Sequence, residues 1–207
     1  MDITRFETMT KTELLGRIGR TRLKGHDQYP VYENSRLELL PMSTDDLTPA
    51  QRYVLDEDVQ RVHALRAYFL KNGVDIFALN GGILFWYRED DGSEEGPVPL
   101  VPPVVEESLE PDGRTVLIIN DGMHRVFAAR EVGSTISCVV IRSVSPKFPY
   151  YAFALPGGWS EVTRLAEIPD GYVKKAYRDP MNYKALFRDF NAVLPGVQKQ
   201  RKRGIVG

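Results

Sequence analysis

Length, composition and charge describe a globular chain of ordinary size. Its 207 residues suffice for one domain with an appendage or for two small domains. With 43% hydrophobic residues, a net charge of −1 and no long apolar run, we expect no membrane span, no secretory leader and no charge-driven nucleic-acid role. The single cysteine, Cys138, cannot form an internal disulfide, and we expect a cytoplasmic protein.

The first third of the chain contains two predicted helices and one predicted strand. Thr10 and Glu13 have the spacing of a capping box, which marks the start of a short helix. Residues 37–41 are mostly apolar and predict an early strand. Apolar residues at helical spacing then predict a second helix that starts near Asp56 and ends before Gly73.

Three carboxylates stand in the first turn of that second helix: Asp56, Glu57 and Asp58. Negative charge at this end offsets the helix dipole, which stabilises a helix by about 0.3–1 kcal/mol per charge. A structural role is therefore available to each of the three, and it competes with a catalytic role.

Strands dominate the middle of the chain. Residues 83–87 are apolar and aromatic and predict a strand, whereas the acidic residues 88–97 predict an exposed, mobile loop. Residues 101–105 and 115–119 flank a Pro-Asp-Gly turn sequence and predict a two-strand hairpin.

The end of that hairpin carries the sequence Asp-Gly-Met-His-Arg at residues 121–125, where a helix over 123–132 is predicted to begin. A strand that turns sharply into a helix directs free backbone N–H groups and the positive end of the helix dipole into one small volume, where phosphate binds well. A further strand follows at residues 136–141. The predicted buried face of the helix consists of Val126, Phe127, Ala129 and Val132.

The order of these elements predicts an α+β domain over residues 31–145. A polar segment (1–30) precedes this domain, and an extension (146–207) follows it. In the extension, an Asp-Pro pair predicts the start of a helix over residues 179–193, with Asp179 as its cap.

The stretch from residue 115 to residue 141 resembles the core of the ParB/sulfiredoxin superfamily. The shared pattern is a strand, a Gly-x-His-Arg or Gly-x-Arg-Arg corner, a helix with two adjacent alanines, a glycine and a second strand. The preceding hairpin and the helix that ends before Gly73 fit the same layout. The resemblance implies a small mixed sheet with packed helices, and nucleotide phosphates bound at the corner.

Branches of this superfamily differ in their chemistry. Sulfiredoxins carry a catalytic cysteine between the glycine and the histidine of the corner, and this chain has Met123 there, a thioether that cannot form a thiolate. ParB partition proteins continue into a helix-turn-helix domain, a pattern that is missing after residue 145. The layout is most similar to that of the free-serine kinases. That likeness implies a kinase that uses ATP or ADP with Mg²⁺ to phosphorylate a hydroxyl of a small metabolite, of amino-acid or sugar type.

The phosphates would lie against the backbone and the basic side chains of the corner. The predicted phosphate-binding residues are Gly122, Met123, His124 and Arg125. Asp121 would hold Mg²⁺ or orient the acceptor hydroxyl. By resemblance to the kinases, Glu57 is the preferred general base, with Asp56 and Asp58 as open alternatives. The predicted catalytic residues are thus Glu57, Asp121 and His124.

Structural alternatives compete with these roles. Asp121 can be a helix cap, His124 a packed and hydrogen-bonded core residue, and Arg125 a member of a surface ion pair. Two other functions also remain open at this point: a non-catalytic nucleotide-binding switch, and a DNA-associated module whose basic residues 199–203 contact phosphates. No oligomeric state follows from the sequence.

Overall fold

The computed structural model describes residues 2–89 and 91–196. Helices and strands are mixed along these residues, which confirms the predicted α+β class. No helix in these two ranges combines the length and the apolar character needed to cross a membrane. In chain order the elements are β1 (Asp2–Thr10), α1 (Lys11–Ile18), β2 (Arg36–Met42), β3 (Leu47–Thr48), β4 (Tyr53–Leu55), α2 (Asp56–Lys71), β5 (Gly81–Arg88), β6 (Glu94–Leu100), β7 (Val104–Leu109), β8 (Thr115–Asp121), α3 (Met123–Glu131), β9 (Ile136–Arg142) and β10 (Thr163–Leu165).

A five-stranded mixed sheet forms the centre of the molecule, in the order β2-β9-β7-β8-β3. The predicted hairpin is β7 and β8, which pair antiparallel around a turn closed by the bond from the N–H of Gly113 to the carbonyl of Glu110. Strand β9 is buried almost along its whole length, as expected of a strand covered on both faces. Its residue Cys138 is fully buried, and burial raises the pKa of the thiol to about 12.

The predicted mobile loop over residues 88–97 is wrong, because its second half belongs to a strand. β6 starts at Glu94 and pairs with β5 in a smaller antiparallel sheet of order β1-β5-β6. Glu94 stands opposite Arg88 in that register and also accepts a bond from the Thr4 hydroxyl at 2.6 Å. Cross-strand pairing of opposite charges stabilises the strand despite its polar composition.

The two predicted early helices are confirmed. The side chain of Thr10 caps α1 by accepting a bond from the N–H of Glu13 at 3.2 Å. Helix α2 starts at Asp56, and its buried stripe contains Val59, Val62 and Phe69.

Helix α3 forms where predicted, but of the predicted buried face only Val126 and Ala129 are fully buried, Phe127 is half-buried, and Met123 and Ala128 are buried in addition. Ala128 is fully buried, whereas Val132 is 49% exposed. Val132 follows the last helical residue with φ −100° and ψ 10°, so its side chain departs from the helical direction. The adjacent small side chains of Ala128 and Ala129 allow other elements to pack closely on more than one side of the helix.

The predicted α-helix over residues 179–193 is wrong. Asp179 does accept bonds from two following backbone N–H groups, but only short 3₁₀ turns form at Tyr183–Leu186 and Phe190–Ala192. Backbone groups of this segment instead pair with residues 22–25; the carbonyl of Phe187, for example, accepts from the N–H of Lys24 at 2.9 Å. This pairing takes carbonyls that an α-helix would need for its own ladder. The basic residues 199–203 lie outside the described residues.

Buried ion pairs attach the extension to the central sheet. Arg188 donates two parallel bonds of 2.8 Å to Glu106 on β7, and these two side chains are 0% and 2% exposed. Arg178 bonds Glu110, the residue that follows β7. The same carboxylate of Glu106 also accepts from Tyr32 and from Asn120, the neighbour of Asp121. The extension is therefore packed into the core close to the candidate site.

Candidate functional site

A cavity of about 1010 Å³ opens beside the corner at residues 121–125. Helix α2, strands β5 and β6, the end of β8 and the start of α3 contribute its walls. Small-molecule sites in proteins have volumes of about 300–1,000 Å³, so this cavity lies at the large end of that range. Part of its wall is apolar, formed by Val62, Leu65, Ile76, Phe85, Val98, Leu100, Ile119 and Met123.

Gly122 makes the sharp turn from β8 into α3. Its φ of +88° lies in the left-handed region, and a Cβ atom there would lie 2.9 Å from the Pro103 Cβ and 2.7 Å from an Arg125 guanidinium nitrogen. Gly122 is the N-cap residue of α3, and no side chain caps that helix. The N–H groups of Arg125 and Val126 bond the Gly122 carbonyl, so the N–H groups of Met123 and His124 remain for a ligand at the positive end of the helix dipole.

Arg125 reaches back over this turn to Asp121. Its Nη2 donates to Asp121 Oδ2 at 2.8 Å, and the arginine side chain is 17% exposed. Its Nε is buried and has no hydrogen-bond partner among the residues that the structure describes. Asp121 is consequently an ion-pair partner of Arg125, and the alternative that it caps α3 is wrong because Gly122 occupies that position.

His124 joins the corner to the start of α2. Its Nε2 accepts a hydrogen bond from the backbone N–H of Leu55 at 3.0 Å and lies 3.7 Å from Asp58 Oδ2. An acceptor at Nε2 places the proton of a neutral imidazole on Nδ1. Burial lowers the pKa of His124, while the charge of Asp58 opposes that shift. The histidine is therefore a neutral, hydrogen-bonded part of the cavity wall at pH 7.

Among the three carboxylates at the start of α2, the structure places only Asp58 in the cavity lining. The side chain of Glu57 is 81% exposed and bonds Arg61 at 2.6 Å. Asp56 forms an ion pair with Arg164. The geometry thus favours Asp58 over Glu57, and the catalytic role predicted for Glu57 stays a prediction without support from its position.

The extension contributes a lysine to the cavity that the sequence analysis missed. Lys175 lies in the wall and donates to the hydroxyls of Tyr150 and Tyr151 at 2.9 and 2.6 Å. Burial lowers its pKa to about 8, and the negative charge of Asp121 opposes the shift. No local pattern marks Lys175, because it stands in a polar stretch far along the chain from Asp121.

A smaller cleft of about 240 Å³ lies next to the cavity. The two share Asn120, Asp121 and Tyr151 as lining residues, and residues 187–191 of the extension form much of the remaining wall of the cleft. Asp121 therefore lines two spaces of different size.

Positive and negative side chains are balanced in the large cavity. Its cationic lining residues are Arg61, Arg88, Arg125 and Lys175. Its carboxylate lining residues are Asp2, Asp58, Glu89 and Asp121. Because the formal charges cancel, attraction of an anion to this cavity depends on the local arrangement at the corner, where helix N–H groups, Arg125 and Lys175 lie near one carboxylate.

The magnesium role predicted for Asp121 gains no support from its surroundings. One of its oxygens is bound by Arg125. In residues 2–89 and 91–196, no three Asp, Glu, His or Cys side chains are grouped so that they could hold a metal ion. Magnesium binding by Asp121 stays a prediction.

A family model, the ParB CE domain, matches residues 13–163. This chain belongs to the ParB CE domain family. The matched range runs from α1 to the beginning of β10, so it includes the five-stranded sheet and the whole corner. The ParB-like part of the resemblance is confirmed, whereas the free-serine-kinase branch is not. No curated protein and no solved structure matches the chain. Lys175 and Arg188 lie beyond the matched range.

Proposed function

We propose that this ParB CE domain protein binds a nucleotide and transfers a phosphoryl group to a hydroxyl of a small metabolite. The observation that carries the proposal is the uncapped N-terminus of α3 at Gly122, which opens into a cavity large enough for two ligands. Catalysis of phosphoryl transfer rests mainly on positioning and on stabilisation of charge, and this corner offers both.

The corner would bind the phosphates. Backbone N–H groups of Met123 and His124 stand at the positive end of the helix, and Gly122 leaves room for close approach. The Arg125 guanidinium is held beside this position by Asp121, and its buried Nε–H has no partner among the described residues. The apolar wall between α2 and the small sheet suits a nucleoside, because it can cover the faces of a base.

Asp58 is the proposed general base. It lines the cavity and accepts a bond from Arg61 at 2.9 Å through its Oδ1, while its Oδ2 lies 3.7 Å from Nε2 of the uncharged His124. A carboxylate within hydrogen-bond reach of an acceptor hydroxyl can accept its proton during attack on the phosphoryl group. His124 holds the wall in place through Leu55 and can orient a ligand with its Nδ1–H.

The acceptor would enter through the smaller cleft. That cleft shares Asp121 with the cavity, and the polar groups of Asn120, Asp189 and Asn191 in its mixed lining could bind a hydroxylated metabolite. The extension would then shape the acceptor side of the site, while residues of the ParB CE match shape the phosphate side.

A non-catalytic nucleotide-binding module is the second candidate. It is favoured by the hydrogen bonds that already occupy side chains of the corner: Arg125 donates to Asp121, and His124 accepts from the N–H of Leu55. Such a corner can bind phosphates without taking part in chemistry.

Two measurements separate these functions. Calorimetric titration with ATP, ADP, CTP and GTP tests binding, and ³¹P NMR with a panel of amino acids and sugars then follows transfer. We expect one nucleotide to bind and one class of acceptor to become phosphorylated. Binding without transfer to any acceptor would support the module, and absence of binding by all four nucleotides would contradict both candidates.

A further inference from the structure

Among the described residues that line the large cavity, Lys175 is the one lysine. It is half-buried, and its ammonium lies 4.7 Å from the centre of the Tyr151 ring and 5.4 Å from that of the Tyr150 ring. Both tyrosine hydroxyls accept its N–H groups. An ammonium has three N–H donors, so one remains for a ligand.

In the described part of the chain, no carboxylate contacts the ammonium of Lys175 directly. The negative charge that raises the pKa of Lys175 is that of Asp121, which is itself bonded to Arg125. Behind the tyrosines, Glu106 is saturated by its bonds to Arg188 and its neighbours. A cation placed in a cavity wall without its own counter-ion favours an anionic ligand.

We propose that Lys175 is a second cationic contact for the phosphates of the ligand, acting from the extension while Arg125 acts from α3. This inference rests on the proposed nucleotide site. It makes the extension part of the phosphate site as well as of the acceptor cleft. A lysine suits this position because its compact charge can turn toward phosphate oxygens while its stem stays packed on the two aromatic rings.

The inference also predicts a pH dependence of binding. Lys175 has a pKa of about 8 in the free protein, and phosphate bound beside it would stabilise its charged form. Affinity should therefore be full below pH 8 and decrease as the pH rises above it. Burial raises the pKa of Tyr150, and that of Tyr151 to about 12, so neither contact titrates in this window.

The test measures binding of ATP and of inorganic tripolyphosphate to the full chain at pH 7 and pH 9. K175M removes the charge, K175R keeps it at both pH values, and K174M removes the charge of the exposed neighbour as a matched control. Circular dichroism and thermal unfolding show whether each variant is folded; if K175M is not, the comparison of wild type with K175R across pH replaces it.

We expect K175M to weaken binding of both ligands at pH 7 by about tenfold or more, the usual effect of losing a hydrogen bond to a charged group. K174M should bind within about twofold of wild type, whereas K175R, which keeps the charge, should bind more tightly than K175M and should lose the decrease in affinity between pH 7 and pH 9. ATP binding that is equal in K175M and wild type, with the same pH profile in K175R, would overturn the role of Lys175 and leave the nucleotide site intact.

The two proposals can fail separately. Tripolyphosphate binding that depends on Lys175, without binding of any nucleotide, would support the lysine contact and overturn the nucleotide function. Absence of binding by both ATP and tripolyphosphate would overturn both.

Discussion

His124 accepts a hydrogen bond from the backbone N–H of Leu55, and this 3.0 Å bond connects the starts of the two helices that border the cavity. Leu55 is the N-cap residue of α2, and His124 lies in the first turn of α3. The positive ends of both helices are thereby held at the same cavity, on the side where Asp58 and the corner meet. This arrangement underlies both the proposed phosphate site and the choice of Asp58 as base.

Replacement of Asp58 by Asn should abolish most of the transfer activity. D58N keeps the size of the side chain but removes the proton acceptor, and general-base catalysis contributes about 10²–10⁴-fold to a rate. E57Q is the matched control, because Glu57 stands one residue away and points to solvent. Initial rates from ³¹P NMR give the comparison. Equal loss in both variants, or loss only in E57Q, would restore Glu57 as the preferred base.

Replacement of Gly122 by Ala should destabilise the protein and prevent phosphate binding. Left-handed backbone costs about 1–2 kcal/mol in a residue with a Cβ, and at Gly122 the added methyl also collides with Pro103 and Arg125. G133A is the control: Gly133 has φ +62°, but its Cβ would meet open space. Urea unfolding should show a larger loss for G122A than for G133A, and only G122A should lose binding. Equal effects on stability would contradict the steric account of the corner.

Removal of Arg188 should reduce the free energy of unfolding by about 3–5 kcal/mol. R188M leaves the buried carboxylate of Glu106 without its partner, and an unpaired buried charge is strongly destabilising. R164M breaks half-exposed ion pairs with Asp56 and Glu131 and should cost less than R188M, about 1 kcal/mol or less for each pair. Chemical denaturation of both variants tests the difference. A small effect of R188M would mean that the extension is not anchored as described.

Stability should decrease below about pH 6.5 in a way that depends on His124. Burial lowers the pKa of this histidine in the native state, so the unfolded chain binds a proton at a higher pH than the folded chain does. As the pH falls through that window, the unfolded state takes up more protons and the free energy of unfolding decreases. H124Q carries an amide oxygen that can reach the position of Nε2 and accept the bond from Leu55, and it does not titrate. Unfolding at pH 7.5 and pH 5.5 should show a smaller decrease for H124Q than for wild type; an equal decrease would contradict the buried, neutral histidine.

Local patterns predicted the corner, whereas tertiary packing decided which nearby side chains reach it. The apolar run, the Asp-Gly pair and the alanine-rich helix all lie within a few residues of Gly122, so their combination is visible in the sequence. The choice between Glu57 and Asp58 depends on the rotation of α2 about its axis, which the packing of its apolar side onto the core determines. Lys175 reaches the cavity because the extension folds back onto the domain, and no periodic pattern in the sequence predicts that course of the chain.

The errors in secondary structure have the same cause. β6 is acidic and contains glycine and proline, yet pairing with β5 and contacts from Thr4 and Arg5 stabilise it. The segment after Asp179 has helical patterning, yet its carbonyls bond residues 22–25 and Arg188 is held by Glu106. In both cases partners distant in sequence outweigh local propensity.

The central claim is that phosphates bind at the N-terminus of α3, and amide chemical shifts in ¹⁵N-labelled protein test it most directly. Titration with ATP or ADP should move the backbone amide signals of Gly122, Met123, His124 and Arg125 most strongly, because these N–H groups would contact or lie next to the phosphates. Tripolyphosphate should move the same signals without affecting those of the apolar wall. Unchanged signals at these four residues, or shifts confined to another part of the protein, would contradict the account.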